Sequence, residues 1–307
     1  MSSSRSDAPS SASATVLLLV CGALLAVVIL CAKSALGSGL SVLDFAGVSS
    51  AAAAALLLST RWRALNAAPR RGGWWALCGA MALASLVLPN VLQAAIAIKG
   101  GAGYGGMVLA LSPMWTLAIG IALGTERLRW RLALGLLLGL VGVLVLTASR
   151  WSGPAGGWNG WALLGGLIPV GTATGNHLRA CLMRDVADGR TIATAVLALA
   201  AVLLSVAAGL DGHPMRWTSH VLVPLTIAAL ATAAFNVLLF RLQQVGGAVR
   251  LSQVGYVAAA VGAVAAALLF GEPLTPSMLV AGLLIAGGIR LVGAPPAKPP
   301  APTSSTA

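Results

Sequence analysis

The sequence predicts an all-α polytopic membrane protein, with ten transmembrane helices arranged as two inverted five-helix repeats. Three observations lead there. The chain has 307 residues, 58% of them hydrophobic and only 8% charged, with a mean hydropathy of +0.93, whereas a soluble domain carries roughly 25% charged residues. Apolar runs of about 20 residues recur along it, the length needed to cross a hydrocarbon core about 30 Å thick. Finally, one stretch occurs twice without gaps. Asn90-Val91-Leu92, Gly100-Gly101-Ala102, Glu126-x-Leu128, Leu137-Leu138 and Gly142 return 146 positions later as Asn236-Val237-Leu238, Gly246-Gly247-Ala248, Glu272-x-Leu274, Leu283-Leu284 and Gly288. Matches of Leu and Ala mean little in so apolar a chain, but paired Asn and paired Glu at one offset mark an internal repeat.

The elements follow in order. Residues 1–13, rich in Ser and Ala, are expected to form a disordered tail. The first span, about Ala14–Cys31, exceeds the apolar core of about 7–15 residues in a cleaved signal peptide and reads as a retained helix. The second, about Ser41–Leu58, runs into a loop carrying Arg61, Arg63, Arg70 and Arg71. The third, about Trp74–Ile98, opens on two indoles suited to a membrane interface. A glycine-rich break leads to the fourth, about Gly105–Gly124. Glu126, Arg127, Arg129 and Arg131 then separate it from the fifth, about Leu132–Ala148. Spans six to ten cover about Trp161–Leu182, Ile192–Leu210, Val221–Phe240, Leu251–Phe270 and Met278–Val292. Residues 14–150 thus form the first repeat and 151–293 the second, and residues 294–307 form a Pro/Ala-rich tail expected to be disordered. No loop is long enough for a soluble domain.

Charge fixes the orientation. With a cytoplasmic N-terminus, only Lys33, Lys99, Arg150 and Arg216 fall outside, leaving fifteen of the nineteen basic residues inside. That asymmetry is the positive-inside rule for a multi-pass protein of the cell membrane with both termini cytoplasmic. It accounts for the net charge of +12 and pI near 11.2 without a nucleic-acid partner. Five spans per repeat is an odd number, so the second copy enters upside down, as in many secondary carriers. Cys21, Cys31, Cys78 and Cys181 lie within or beside apolar runs with no CxxC pair, and read as small packing residues.

Ala110-Leu111-Ser112-Pro113, thirteen residues ahead of Glu126-Arg127-Leu128, resembles the paired signature of the drug/metabolite transporter superfamily in its EamA-like branch. Phe270-Gly271-Glu272-Pro273-Leu274-Thr275 repeats the second part, and Trp161-Ala162 with Arg179 and Arg184 is similar to the ends of that family's sixth helix. The resemblance covers nearly all of the apolar chain. It implies ten helices in an inverted repeat, a central cavity between helices one, three, four, six, eight and nine, and export or facilitated passage of small metabolites. The second-half proline of the signature is absent, its place taken by Ala259, and the second helix lacks the family's common arginine.

Polar side chains inside spans face the bundle or a cavity. Asn90 and Asn236 are therefore candidates for a substrate cavity or for interhelical hydrogen bonds, with Gln93 one turn beyond Asn90. Trp115, Gln253 and Tyr256 are further candidates for the cavity wall, the last two sharing a face at i, i+3; core packing is the plainer alternative for Trp115. Asp44, near the outer end of the second span, is either a coupling carboxylate or an interfacial acid. His177 is either a gate or proton-relay residue or a satisfied histidine near the inner interface. Pro89, Pro113 and Pro169 are candidate helix bends, and Gly171-x-x-x-Gly175 allows a close helix approach. Glu126 and Glu272 read as first-turn acids favouring the N-termini of helices five and ten.

Gly101-x-Gly103-x-x-Gly106 matches a dinucleotide fingerprint only formally, because it joins two spans rather than following a strand. No GxxxxGK[ST] loop, HExxH motif or Ser/His constellation occurs, so neither ATP hydrolysis nor intramembrane catalysis is expected, and no catalytic residue, metal site or cofactor is assigned. The expected function is secondary transport of small metabolites by alternating access, with amino-acid-like, neutral or lipophilic cargo favoured by a cavity that looks poor in charge. A flippase for lipid-linked cargo or a non-transporting scaffold of the same fold stand as alternatives. The expected partners are a small-molecule substrate and the lipid bilayer, with a homodimer left open.

Overall fold

The computed structural model describes residues 11–66, 72–92, 111–148, 166–185, 188–211, 219–271 and 276–293, among which helix is the only regular structure. Among the described residues there are ten helices, one per apolar run. The first five are α1 (Ser11–Gly37), α2 (Val42–Asn66), α3 (Gly72–Leu92), α4 (Ser112–Ala122) and α5 (Trp130–Ala148). The second five are α6 (Leu167–Asp185), α7 (Gly189–Asp211), α8 (Ser219–Ser252), α9 (Val254–Phe270) and α10 (Pro276–Gly293). Five of them, α1, α2, α3, α7 and α8, are long and apolar enough to cross a membrane, and α4, α5, α9 and α10 contain shorter apolar helices. Their outward faces are apolar: Leu210 is 84% exposed, Leu268 77% and Leu283 75%. Such a surface is stable against hydrocarbon, where backbone groups are satisfied within each helix.

Several boundaries differ from the sequence expectation. α1 starts at Ser11, inside the expected tail, and α8 continues for about two turns past Phe240 before breaking at Gly247, whose φ of 73° and ψ of 176° suit only glycine. Pro113 is at the first turn of α4 and Pro169 in the first turn of α6. Proline there sacrifices no helical hydrogen bond, so neither bends a helix interior as expected. Pro89 does lie inside a helix, directly after a π-helical turn at Leu83–Val87. A wider turn is the local answer to an amide that cannot reach back to Ser85. Pro224 also lies inside a helix, α8. Glu126 stands four residues ahead of α5 and is no first-turn acid; it folds back over Gly120, where a Cβ would meet its Cγ at 2.7 Å. Gln93, Glu272 and the Gly100–Gly103 turn lie outside the described residues.

Almost every major helix contact joins one half of the chain to the other: α2 with α7, α5 with α10, α1 with α8 and α9, α6 with α3 and α4, α2 with α8, α3 with α7. Exchanging each helix with the one five places away leaves this list unchanged. The directions can be read from the contacts. A Cβ on Gly135 would meet the Gly288 carbonyl at 2.8 Å and one on Gly142 the Ala281 carbonyl at 2.9 Å. Later residues of α5 thus meet earlier residues of α10, and the two run antiparallel. In the same way Gly47 faces Leu204 while Ala54 clusters with Leu197, so α2 and α7 are antiparallel. Gly22 faces Val257 and Gly262 faces Ala26, so α1 and α9 are parallel. Two apolar clusters flank the middle, one around Trp74, Met81, Leu204 and Phe240, the other around Leu18, Leu242, Tyr256 and Ile285.

Candidate functional site

α6 is the least apolar of the ten helices and is largely enclosed by the others, with Ile168, Ala173, Asn176, His177, Arg179 and Leu182 all buried. A helix of that composition cannot face lipid, because its polar groups would go unsatisfied there. Its packing is correspondingly close. Gly171 admits the Ala84 carbonyl at 2.6 Å from where a Cβ would stand, and Gly175 admits the Ser85 hydroxyl, as the spacing of the two glycines implies.

The polar face of α6 builds a network on Asn176. Its Nδ2 donates to Thr116 Oγ1 of α4 at 3.3 Å, and its backbone carbonyl accepts from Gln243 Nε2 of α8 at 2.7 Å. Its Oδ1 accepts from Arg179 Nη1 at 3.1 Å. Next to it, His177 Nε2 donates to the Thr116 carbonyl at 3.0 Å. The Arg179 guanidinium lies 5.3 Å from the centroid of the Phe240 ring, within cation–π range. Thr116, Asn176, His177, Arg179 and Gln243 are all buried. Three helices therefore converge on one polar cluster inside an apolar bundle, arranged to hold hydrogen-bonding groups away from lipid.

The residues singled out from sequence fall in different places. His177 joins the cluster. Trp115 does not line it: one residue rotates an α-helix by about 100°, so Thr116 and Ser112 take the buried side of α4 and Trp115 is 44% exposed. Asn90 and Asn236 do the same thing in each half, each donating from Nδ2 to a carbonyl four residues back, Leu86 at 2.6 Å and Thr232 at 3.0 Å. Gln253 and Tyr256 are fully buried near α5, with Tyr256 Oη donating to the Leu136 carbonyl at 3.3 Å and its ring packed on Gly139. Asp44 closes a reciprocal cap at the start of α2: Ser41 Oγ donates to its Oδ2 at 2.8 Å and accepts from its amide at 3.0 Å.

A family model for EamA-like transporters matches residues 12–148 and again 161–294, one copy per half. This chain belongs to the EamA-like transporter family. An uncharacterized protein of Pseudomonas aeruginosa is 34% identical over 257 residues, spanning 78% of this chain and 79% of its own. One crystal structure of a protein superimposes with a TM-score of 0.76 at 18% identity, covering 92% of this chain and 96% of that one, a likeness in fold.

The transporter also has a groove of about 310 Å³ beside the cluster, where the start of α7 meets α8, lined by Asp188, Arg190, Phe240, Arg241 and Gln244. Phe240 is shared between the groove and the guanidinium of Arg179. Three residues of the site were missed from sequence. Thr116 sits beside Trp115 in an apolar run that gives it no signal, and Gln243 lies beyond the expected eighth span. Arg179, expected at the inner end of the sixth span, is 4% exposed within the bundle, so an interior that looks poor in charge from sequence holds a guanidinium. The signal available was the spacing: Asn176 and Arg179 at i, i+3 share one face of an unusually polar helix. Among the described residues no three ligands gather that could hold a metal ion.

Proposed function

We propose that this EamA-family membrane transporter is a secondary carrier of small metabolites. It works by alternating access, with its two five-helix halves inverted in the cell membrane and both termini cytoplasmic. The observation that carries the reading is the antiparallel pairing of corresponding helices, α5 with α10 and α2 with α7, within a set of principal contacts left unchanged by exchange of the halves. Halves so related give two arrangements of similar energy, one open to each face, and interconversion between them moves a site from one side to the other. The clustering of Arg61, Arg63, Arg127, Arg129 and Arg131 around the end of α2 and the connection between α4 and α5, both expected on the inner face, supports the orientation.

Proteoliposomes preloaded with unlabelled solute test this. Saturable counterflow of at least one labelled metabolite from a panel of amino acids, organic acids, nucleosides, sugars and polyamines is expected. Fluxes equal to those of protein-free vesicles across the panel would refute it, and a C-terminal tag reached by protease only from the lumen of right-side-out vesicles would support the topology.

A further inference from the structure

We infer that Arg179 is an oxyanion-binding residue, taking a carboxylate or phosphate group of the solute inside the bundle. The inference rests on the carrier reading above and names its substrate class. Arg179 is buried, and its partners among the described residues are both neutral, the Asn176 amide oxygen and the Phe240 ring. Its Nε has no hydrogen-bond partner. Taking a guanidinium out of water costs several kcal/mol unless a counter-charge and hydrogen bonds compensate it, and the fold supplies no carboxylate to it among the described residues. Asn176 occupies Nη1 and fixes the plane of the fork, while Nε is buried and unpaired. The Nε edge presents parallel donors in the geometry that receives a carboxylate or phosphate two oxygens at a time.

Two further buried atoms of the same cluster lack partners, Gln243 Oε1 and Ser112 Oγ. One can only accept and the other can donate or accept, so a bound solute would find a site for its hydroxyl or amine close to the anion. The approach has matching charge. Arg190 and Arg241 line the neighbouring groove with Phe240, and Asp188 there is already engaged by the Arg190 amide and Thr191 Oγ1. An anion drawn to the groove would meet the Phe240 ring, whose centroid lies 5.3 Å from the Arg179 guanidinium.

Thermal-shift titration of the detergent-purified full chain with matched acids and amides (succinate and succinamide, lactate and lactamide), together with inorganic phosphate, tests the site. The expected result is saturable stabilisation by at least one carboxylate or by phosphate, none by the corresponding amide, and a loss of at least about tenfold in apparent affinity in Arg179→Gln. Stabilisation by a carboxylate alone would assign an organic acid, and by phosphate as well a phosphorylated solute. Acid and amide acting alike, or no anion shifting the melting temperature, would overturn the inference. The acid–amide comparison uses the unmodified chain, so a variant that fails to fold leaves the test intact. Counterflow of a neutral solute with no anion binding would sink the role of Arg179 and spare the carrier; anion binding without any flux would do the reverse.

Discussion

Gly288 makes the closest approach to backbone across the seam between the halves, and Gly288→Ala is its sharpest test. An added Cβ would stand 2.5 Å from the Gly135 carbonyl oxygen, 2.9 Å from the Gly139 nitrogen and 3.3 Å from the Gly139 Cα. These are backbone atoms of α5, so no rotamer change relieves them, and α10 must withdraw by roughly 1 Å to restore ordinary contact distances. Overpacking of this kind costs about 1–3 kcal/mol, and the shift also weakens Cα–H···O contacts of about 0.5–1 kcal/mol each between the closely apposed backbones. At roughly 2 °C per kcal/mol for a chain of this size, the apparent melting temperature in detergent falls by about 2–6 °C. The control is next door. A Cβ on Gly287 or Gly282 meets nothing within 4 Å, so Gly287→Ala and Gly282→Ala gain about 0.5–1 kcal/mol from helix propensity and melt at or above the parent. Equal melting of Gly288→Ala and Gly287→Ala would refute the packing of α5 on α10 described above.

Three further predictions use the same measurement or the flux assay. Gly247→Ala places a Cβ on a residue with φ 73° and ψ 176° and should cost about 1–3 kcal/mol, whereas Gly255→Ala, open on all sides, should not; equal stability would mean the corner of α8 is not held as described. Ser41→Ala removes both bonds of the cap at α2 and should cost about 1 kcal/mol, and Asp44→Asn should leave gradient-driven uptake within about twofold, since abolished driven uptake would restore Asp44 as a coupling group. Thr116→Val should lower solute affinity by removing a hydroxyl that holds Asn176, while Trp115→Leu, on the exposed side of α4, should not; the reverse order of effects, read as counterflow KM, would return Trp115 to the cavity wall.

The number and order of helices were legible in the sequence because each needs its own apolar run, and hydropathy reports that directly. The paired Asn, Gly and Glu at a constant offset announced two equivalent halves, and Gly142 and Gly288 proved to be seam residues in both. Rotational placement was harder. Trp115 drew attention by size and Thr116 did not, yet one step of rotation decides which enters the bundle, and in an apolar helix no periodicity distinguishes the lipid side from the protein side. The burial of Arg179 is hidden for a related reason: an arginine near the inner end of a span reads as an interfacial charge, and only the neighbouring helices show that it is covered. Asn90 and Asn236 show the opposite error. Their repetition reflects the same local hydrogen bond made twice, and repetition alone does not locate a binding site.

The pairing of the helices has a bearing on how the chain is made. Among the described residues the first five helices touch one another appreciably only where α1 meets α2, while α2, α3, α4 and α5 find their principal neighbours in α6, α7, α8 and α10. A ribosome delivers the first half to the bilayer well before those partners exist. The early helices must therefore wait in lipid, each satisfied internally but without its packing surface, and the bundle closes only after α10 arrives to meet α5. Contacts of such long sequence separation make assembly slow and late. Truncation after α5 should leave inserted but unassembled helices, the substrate that membrane quality-control proteases take.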